Sequence, residues 1–128
     1  MINNNNCLGE SILRVLEEST GGFTSDGNET FDDLSAPSRT DIGGKLNINY
    51  HVNLANIDLA ALTNIGANCT IQNNYGLESI TLTALEDVDG NFEFNNGDDV
   101  DSLDLPALTD VGGSITINNN DRLESFSA

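Results

Sequence analysis

The residues best suited to chemistry in this chain are one histidine, two cysteines and a large excess of carboxylates. A cysteine and a histidine together can act as a nucleophile and its base. The candidate pair in this sequence is Cys7 with His51. However, nothing in the sequence positions these two residues, and no Gly-x-Ser-x-Gly motif marks a serine nucleophile. Cys69 falls among apolar positions, where a thiol is unreactive. The sequence therefore predicts a protein that is not an enzyme.

Carboxylates offer a second chemistry, because oxygen ligands bind calcium. Three of them, Glu78, Asp101 and Glu124, are evenly spaced along the chain, and three aspartates flank them. The candidate calcium ligands are Glu78, Asp98, Asp99, Asp101, Asp121 and Glu124. If their segments stack, like charges so close together repel unless a cation bridges them. No Asp-x-Asp-x-Asp-Gly loop is present, so a solvated acidic edge is the favoured interpretation and a calcium site is the alternative. No other cofactor is predicted.

The charge balance excludes two classes of partner. Of 128 residues, 21 are Asp or Glu and 4 are Lys or Arg, which gives a formal net charge of -17. Nucleic-acid affinity comes from Lys and Arg at phosphates, and an anionic membrane attracts the same residues. No apolar run approaches the ~18 residues that would predict a membrane-spanning helix. We therefore expect no nucleic acid partner and no membrane insertion.

An internal repeat with a period of about 23 residues positions the remaining features. Four segments align without a gap, with position 1 of the repeat at the first residue of each. They are Thr40–Leu62, Thr63–Leu85, Glu86–Leu108 and Thr109–Ala128. A weaker copy precedes them, in which Phe31, Leu34 and Pro37 are in register with later copies. Seven positions are apolar throughout, namely 3, 7, 9, 15, 18, 20 and 23, apart from Cys69 at position 7.

The alternation within each repeat predicts its strands. Positions 7 and 9 are apolar between polar neighbours, and so are positions 18 and 20, which is typical of strands with one buried face. The other apolar positions are expected at corners, and the glycine pairs at 43–44 and 112–113 at a tight bend. We predict a mostly β, right-handed β-solenoid with two short strands per coil. Its coils stack at the strand spacing of ~4.8 Å.

Asparagine is enriched to 19 residues, and the repeat gives it a place. Position 10 holds Asn49, Gln72, Asn95 and Asn118, and position 11 holds Tyr50, Asn73, Asn96 and Asn119. Stacked amides can bond to each other and to turn backbone, and asparagine tolerates left-handed conformations. The enrichment is therefore interpreted as structural ladders in preference to a binding site.

The N-terminal segment has a different pattern. Apolar residues at helical spacing between Asn6 and Gly22 predict an amphipathic helix that covers the first coil. We expect one structural domain in three parts: a helical cap at 1–22, a degenerate first coil or linker at 23–39, and four repeat coils at 40–128, the last incomplete.

The repeat resembles the leucine-rich-repeat-like units of receptor L domains. It is even more similar to repeats of fungal GPI-anchored cell-wall proteins and of related microbial and algal surface proteins. The clearest carrier is the segment from Leu105 to Ile117 with the asparagines at 118–120, and the resemblance covers 40–128. It implies a non-catalytic protein of the cell surface that adheres, recognises a ligand or supports a wall, and it carries over no catalytic residues.

The expected function is a non-catalytic extracellular or cell-surface module for adhesion, recognition or structural assembly. The chain starts without a signal peptide, which predicts a processed or truncated form. A protein or carbohydrate ligand is expected on the polar strand face, which comprises Asn47, Asn49, Thr70, Gln72, Glu93, Asn95, Thr116 and Asn118. An alternative is the edge with Tyr50, His51 and Tyr75, although the tyrosines are expected to pack over turns.

Two other functions stay open at this point. One is a self-associating structural subunit, a homo-oligomer that forms through the open C-terminal coil. The other is an ice-binding protein, since flat solenoid faces with threonine rows bind ice. The outward row at position 8 contains Thr70 and Thr116, but Glu93 interrupts it.

Overall fold

The computed structural model describes residues 2–3 and 21–128, which form a parallel β-solenoid of about five coils of ~23 residues. We number the coils along the chain as 21–39, 40–62, 63–85, 86–108 and 109–128. The first eight strands are β1 (Ile2–Asn3), β2 (Phe23–Asp26), β3 (Asp33–Ser35), β4 (Asp41–Ile42), β5 (Leu46–Asn49), β6 (Asn56–Asp58), β7 (Asn64–Ile65) and β8 (Cys69–Gln72). The other seven are β9 (Ser79–Thr81), β10 (Asp87–Val88), β11 (Phe92–Asn95), β12 (Ser102–Asp104), β13 (Asp110–Val111), β14 (Ile115–Asn118) and β15 (Ser125–Ser127).

The strands stack into parallel sheets along the solenoid. The largest sheet has the order β1-β2-β5-β8-β11-β14, and a second sheet of two-residue strands has the order β13-β10-β7-β4. On the third side, β3-β6-β9 and β12-β15 form two shorter sheets. Ile48 pairs with Ile71, and Leu103 pairs with Phe126, so partners in consecutive coils are one full repeat apart. The register therefore stacks each repeat position on itself.

The predicted strands at positions 7–10 and 17–19 are confirmed, but the prediction of two strands per coil is wrong. Coils 2 to 5 each contain a third strand of two residues, where the sequence predicted a corner at position 3. Ile42 and Val88 point into the core from these strands, and the preceding aspartates point outward. One inward and one outward residue are enough to form a strand of two residues. Such a strand is too short to show the alternation of apolar and polar residues in the sequence.

Coil 1 follows the same register, because β2 pairs with β5 and β3 pairs with β6 at the offset that relates the later coils. The predicted helix between Asn6 and Gly22 lies outside the described residues, except at its last two positions. The described residues contain strands and turns and no helix. Ile2–Asn3 pair in parallel with β2 at the outer edge of coil 1.

The core is a thin apolar column that runs through the stacked coils. Its members are buried at the predicted positions, among them Leu46, Phe92 and Leu103, each 0% exposed. The glycine pairs act at bends through close approach. A Cβ at Gly44 would lie 2.7 Å from the backbone nitrogen of Gly22, so glycine is required where the coils touch.

Candidate interaction surfaces

The structure brings the predicted polar strand face together on one sheet. Positions 8 and 10 lie in register on β5, β8, β11 and β14, so their side chains form two adjacent rows. Most of these side chains are half-buried, and Asn118 in the last coil is exposed. One member was placed wrongly. Asn49 is only 8% exposed, so its side chain is not available on a binding face. Among the described residues, its Oδ1 atom has no hydrogen-bond partner.

Part of this face is used for internal bonding. The Oδ1 atom of Asn95 accepts the backbone N–H of Asn118 at 3.1 Å. In the neighbouring column, at position 11, the Nδ2 of Asn96 in coil 4 donates to Asn73 Oδ1 in coil 3 at 2.6 Å. These bonds are rungs of the predicted amide ladders, and they tie the turn of one coil to the next.

The acidic edge has little organisation beyond its charge. Arg122 Nη1 lies 3.1 Å from Asp99 Oδ1, and both side chains are well exposed, so this ion pair contributes little to stability. Asp101, Asp121 and Glu124 are exposed around a shallow cleft of the last coil. Within residues 21–128, no three or more carboxylates, imidazoles or thiols are grouped to hold a metal ion. The calcium hypothesis has no support in this geometry.

A further amide ladder lies at position 12, which the sequence did not predict. Asn74 Oδ1 accepts the backbone N–H of His51 in the coil below at 3.0 Å, and its Nδ2 donates to the Ile48 carbonyl at 2.9 Å. Asn120 makes the same two bonds, to the Gly97 N–H at 2.8 Å and to the Phe94 carbonyl at 3.1 Å. Each amide therefore completes the turn of the preceding coil.

At Gly97 the ladder lacks a side chain because Phe94 occupies the space. A Cβ on Gly97 would collide with the Phe94 ring. Position 9 is isoleucine in the neighbouring coils, at Ile71 and Ile117, so the larger ring of coil 4 coincides with the smallest residue at position 12. Position 12 of the repeat contains His51, Asn74, Gly97 and Asn120. Two of the four are asparagine, but the histidine and the glycine prevent the column from being recognised as an amide ladder.

His51 replaces an asparagine in this ladder. Its ring is 0% exposed, packs edge-on against Phe31 with centroids 5.1 Å apart, and accepts the Asn28 N–H on Nδ1 at 3.1 Å. Burial lowers the pKa of His51 below 6.5, against weaker opposing effects of the Asn28 and Ser25 backbone and the Asp26 charge. Among the described residues, the Nε2 atom of His51 has no hydrogen-bond partner. His51 was part of the alternative binding edge with Tyr50 and Tyr75, but it is buried and not available there.

The two tyrosines are about half exposed, in contrast to the expectation that they pack over turns. Tyr50 is 55% exposed and Tyr75 is 51% exposed. The Tyr75 hydroxyl lies 3.4 Å from Asn73 Oδ1, a long and weak hydrogen bond. Between them, Val52 is 54% exposed. We name Tyr50, Val52 and Tyr75 the aromatic edge.

Cys69 lies in the core, as its position in the repeat predicted. It is a free thiol with 0% exposure, and burial raises its pKa to about 12, with a smaller effect from the Glu93 charge. A thiol with this pKa is not a nucleophile at neutral pH. Cys7 lies outside the described residues.

Among the described residues, coil 5 exposes large apolar side chains at repeat positions that are buried in the other coils. In coil 5, Ile115 is 43% exposed and Phe126 is 42% exposed, although the same positions are buried in coils 2 to 4. Val111, Ile117 and Leu123 are partly buried against the core. The outer edges of β13, β14 and β15 pair with no other described strand. We name this surface, with Ile115 and Phe126 at its centre, the open face.

No family model, curated protein or solved structure matches this chain. No helix among residues 2–3 and 21–128 is long and apolar enough to cross a bilayer.

Proposed function

We propose that this protein is a non-catalytic repeat module of the cell surface or extracellular space, and that its function is structural assembly through the open face. The observation that carries this proposal is the exposure of Ile115 and Phe126 beside three strand edges that pair with no other described strand. Unpaired edges next to apolar side chains are a template for another chain. The resemblance of the repeat to receptor L domains and cell-wall proteins supports the location and the absence of catalysis.

The proposed occupant is a second copy of the chain. A two-fold axis would place the four-residue edge strand β14 antiparallel to its copy, and the same apolar residues would be buried from both sides. Self-pairing of this kind needs no second binding surface. The net charge of -17 opposes association of two copies, so assembly is expected to strengthen as salt screens the repulsion.

Light scattering coupled to size-exclusion chromatography tests this proposal over a concentration series at low and high salt. We expect the measured average mass to rise from that of a monomer toward that of a dimer as the concentration increases. At high salt it should rise further. The double variant Ile115→Lys with Phe126→Lys is expected to remain monomeric. Its matched control is Val52→Lys, which adds a charge to the aromatic edge instead and should associate like the parent.

Circular dichroism of each variant tests whether the strands are intact. A parent chain that stays monomeric at every concentration and salt level overturns the proposal, as does a double variant that associates as strongly as the parent.

A further inference from the structure

Position 11 of the repeat has a left-handed backbone in every coil. The residues and their φ angles are Gly27 (63°), Tyr50 (60°), Asn73 (57°), Asn96 (55°) and Asn119 (54°). Glycine and asparagine adopt this conformation readily, whereas an aromatic residue there is strained by its Cβ. Tyr50 is 55% exposed, so more than half of its surface makes no packing contact that could offset this strain. A strained backbone that carries a side chain exposed over half of its surface points to a function for that side chain.

The other exposed apolar residues of the middle coils lie beside Tyr50. The described residues expose five large hydrophobic side chains: two lie on the open face and the other three form the aromatic edge. Val52 and Tyr75 occupy position 13 of adjacent coils, and their turns lie close together, since a Cβ on Gly76 would lie 2.9 Å from the Val52 carbonyl oxygen. The edge is therefore one contiguous patch on the turns that follow β5 and β8.

Carboxylates flank this patch on both sides. Position 13 is Glu29 in coil 1 and Asp98 in coil 4, so the column changes from acidic to apolar to acidic along the solenoid. The basic side chains of the described residues are Arg39, Lys45 and Arg122, and none is part of the patch. Arg122 is in coil 5, where it pairs with Asp99. The patch thus combines aromatic faces with carboxylates on both sides.

We propose that the aromatic edge binds an arginine- or lysine-containing segment of another protein. A guanidinium or ammonium group is attracted to the face of a tyrosine ring, and an acidic surrounding strengthens that attraction. The aliphatic stem of the same side chain packs on Val52. Glu29 and Asp98 supply the charge complementarity for basic residues on either side. This site is separate from the open face and does not depend on self-association.

A capped peptide with three arginines separated by glycines is the probe for this proposal. The chain has two tyrosines, so their ring signals in NMR spectra report directly on the patch. At about 0.15 M salt, where long-range attraction is screened, we expect the peptide to shift both ring signals saturably. Because the chain is strongly acidic, the experiment must separate this binding from general attraction of cations.

The double variant Tyr50→Asn with Tyr75→Asn makes that separation, since it leaves the net charge at -17 and places at position 11 the residue of the next three coils. We expect its affinity for the peptide to fall about tenfold. The control Asp110→Asn removes a charge far from the edge and should bind like the parent. Tyr50→Asn alone should raise the melting temperature because it relieves the strained backbone.

Equal affinity of the parent and the double tyrosine variant would show attraction by bulk charge alone and would overturn the proposal. Ring shifts with the uncharged oligosaccharide cellohexaose but not with the peptide would also overturn it, in favour of a sugar site. A lower melting temperature of Tyr50→Asn would show that the ring stabilises the fold, which removes the argument for function.

Discussion

Coil 4 and coil 5 have the same apolar pattern but differ in burial. Leu103 in coil 4 is 0% exposed, whereas Phe126, its partner at position 18 of coil 5, is 42% exposed. At position 7, Phe92 is 0% exposed and Ile115 is 43% exposed. The difference arises because coil 4 is covered on both sides and coil 5, within the described residues, on one. Burial in this solenoid is therefore supplied by the neighbouring coil.

Hydrogen bonding follows the same asymmetry. The N–H of Phe92 donates to the Ser114 carbonyl at 2.9 Å, and that of Leu105 donates to Ser127 at 2.8 Å. At these positions each coil donates to the following one. Asn120 supplies the ladder amide for coil 4 in the same direction. Coil 5 thus completes coil 4, and the described residues provide no coil that completes coil 5.

The largest expected effect is a difference between two core truncations at position 18. Leu103→Ala should lower the free energy of unfolding by about 2–5 kcal/mol, because it leaves a cavity in a fully buried site. Phe126→Ala should lower it by only about 1 kcal/mol or less, because much of that ring is in water. Urea denaturation of the monomeric chain at low concentration measures both. Equal losses would contradict the view that coil 5 is open.

The ladder at position 12 gives a second and smaller contrast. Asn74→Ala should destabilise the chain by about 1–3 kcal/mol, since the buried His51 N–H loses its acceptor. Asn120→Ala removes equivalent bonds at the open face, where water can replace them, and should cost less than Asn74→Ala. Both are measured by chemical denaturation, and a larger loss for Asn120→Ala would refute the interpretation.

The smallest expected effect is a pH dependence from His51. Burial holds its pKa in the folded chain below 6.5, so the unfolded chain binds more protons once the pH falls through 6.5. The contribution of His51 to the free energy of unfolding is therefore fully present above pH 6.5. It declines toward pH 5, with a slope of at most about 1.4 kcal/mol per pH unit. His51 is the only histidine of the chain, and imidazole is the side chain whose ordinary pKa lies between about pH 5 and 8.

His51→Asn is the matched control for that dependence. Asparagine occupies the same position at Asn74 and Asn120, where its amide makes both ladder bonds. By the same register, an amide at 51 would reach the Asn28 N–H and the Ser25 carbonyl. The melting temperature of the variant should stay constant between pH 7 and pH 5, whereas that of the parent should fall. A parent chain whose stability rises as the pH falls from 6.5 to 5 would contradict the prediction.

The strands were predictable because their signal is local and repeated. Apolar residues at positions 7, 9 and 18 recur in every copy, so four weak patterns reinforce one another. The two-residue strands were not predictable, since Asp87 and Val88 alone cannot show an alternation. The position 12 ladder was missed because His51 and Gly97 interrupt it. Their roles depend on Asn28 and Phe94, contacts that a single column does not display.

For the interaction surfaces, the sequence placed polar side chains on one sheet face but did not determine their exposure. Asn49, the last residue of β5, is buried, whereas Tyr50, which directly follows the strand, is half exposed. The left-handed backbone at Tyr50 turns the chain at that point, and the alternation of a strand no longer applies beyond it.

By itself, the sequence determined the period of the repeat, the apolar columns and the acidity of the surface, because each is a property of residue type at a fixed spacing. Only the tertiary structure decided which members of a column are buried. Ile115 and Phe126 satisfy the same pattern as Phe92 and Leu103, yet they stay exposed. The physical reason is that a coil one strand thick has no interior of its own, so its core forms only when another coil is stacked against it.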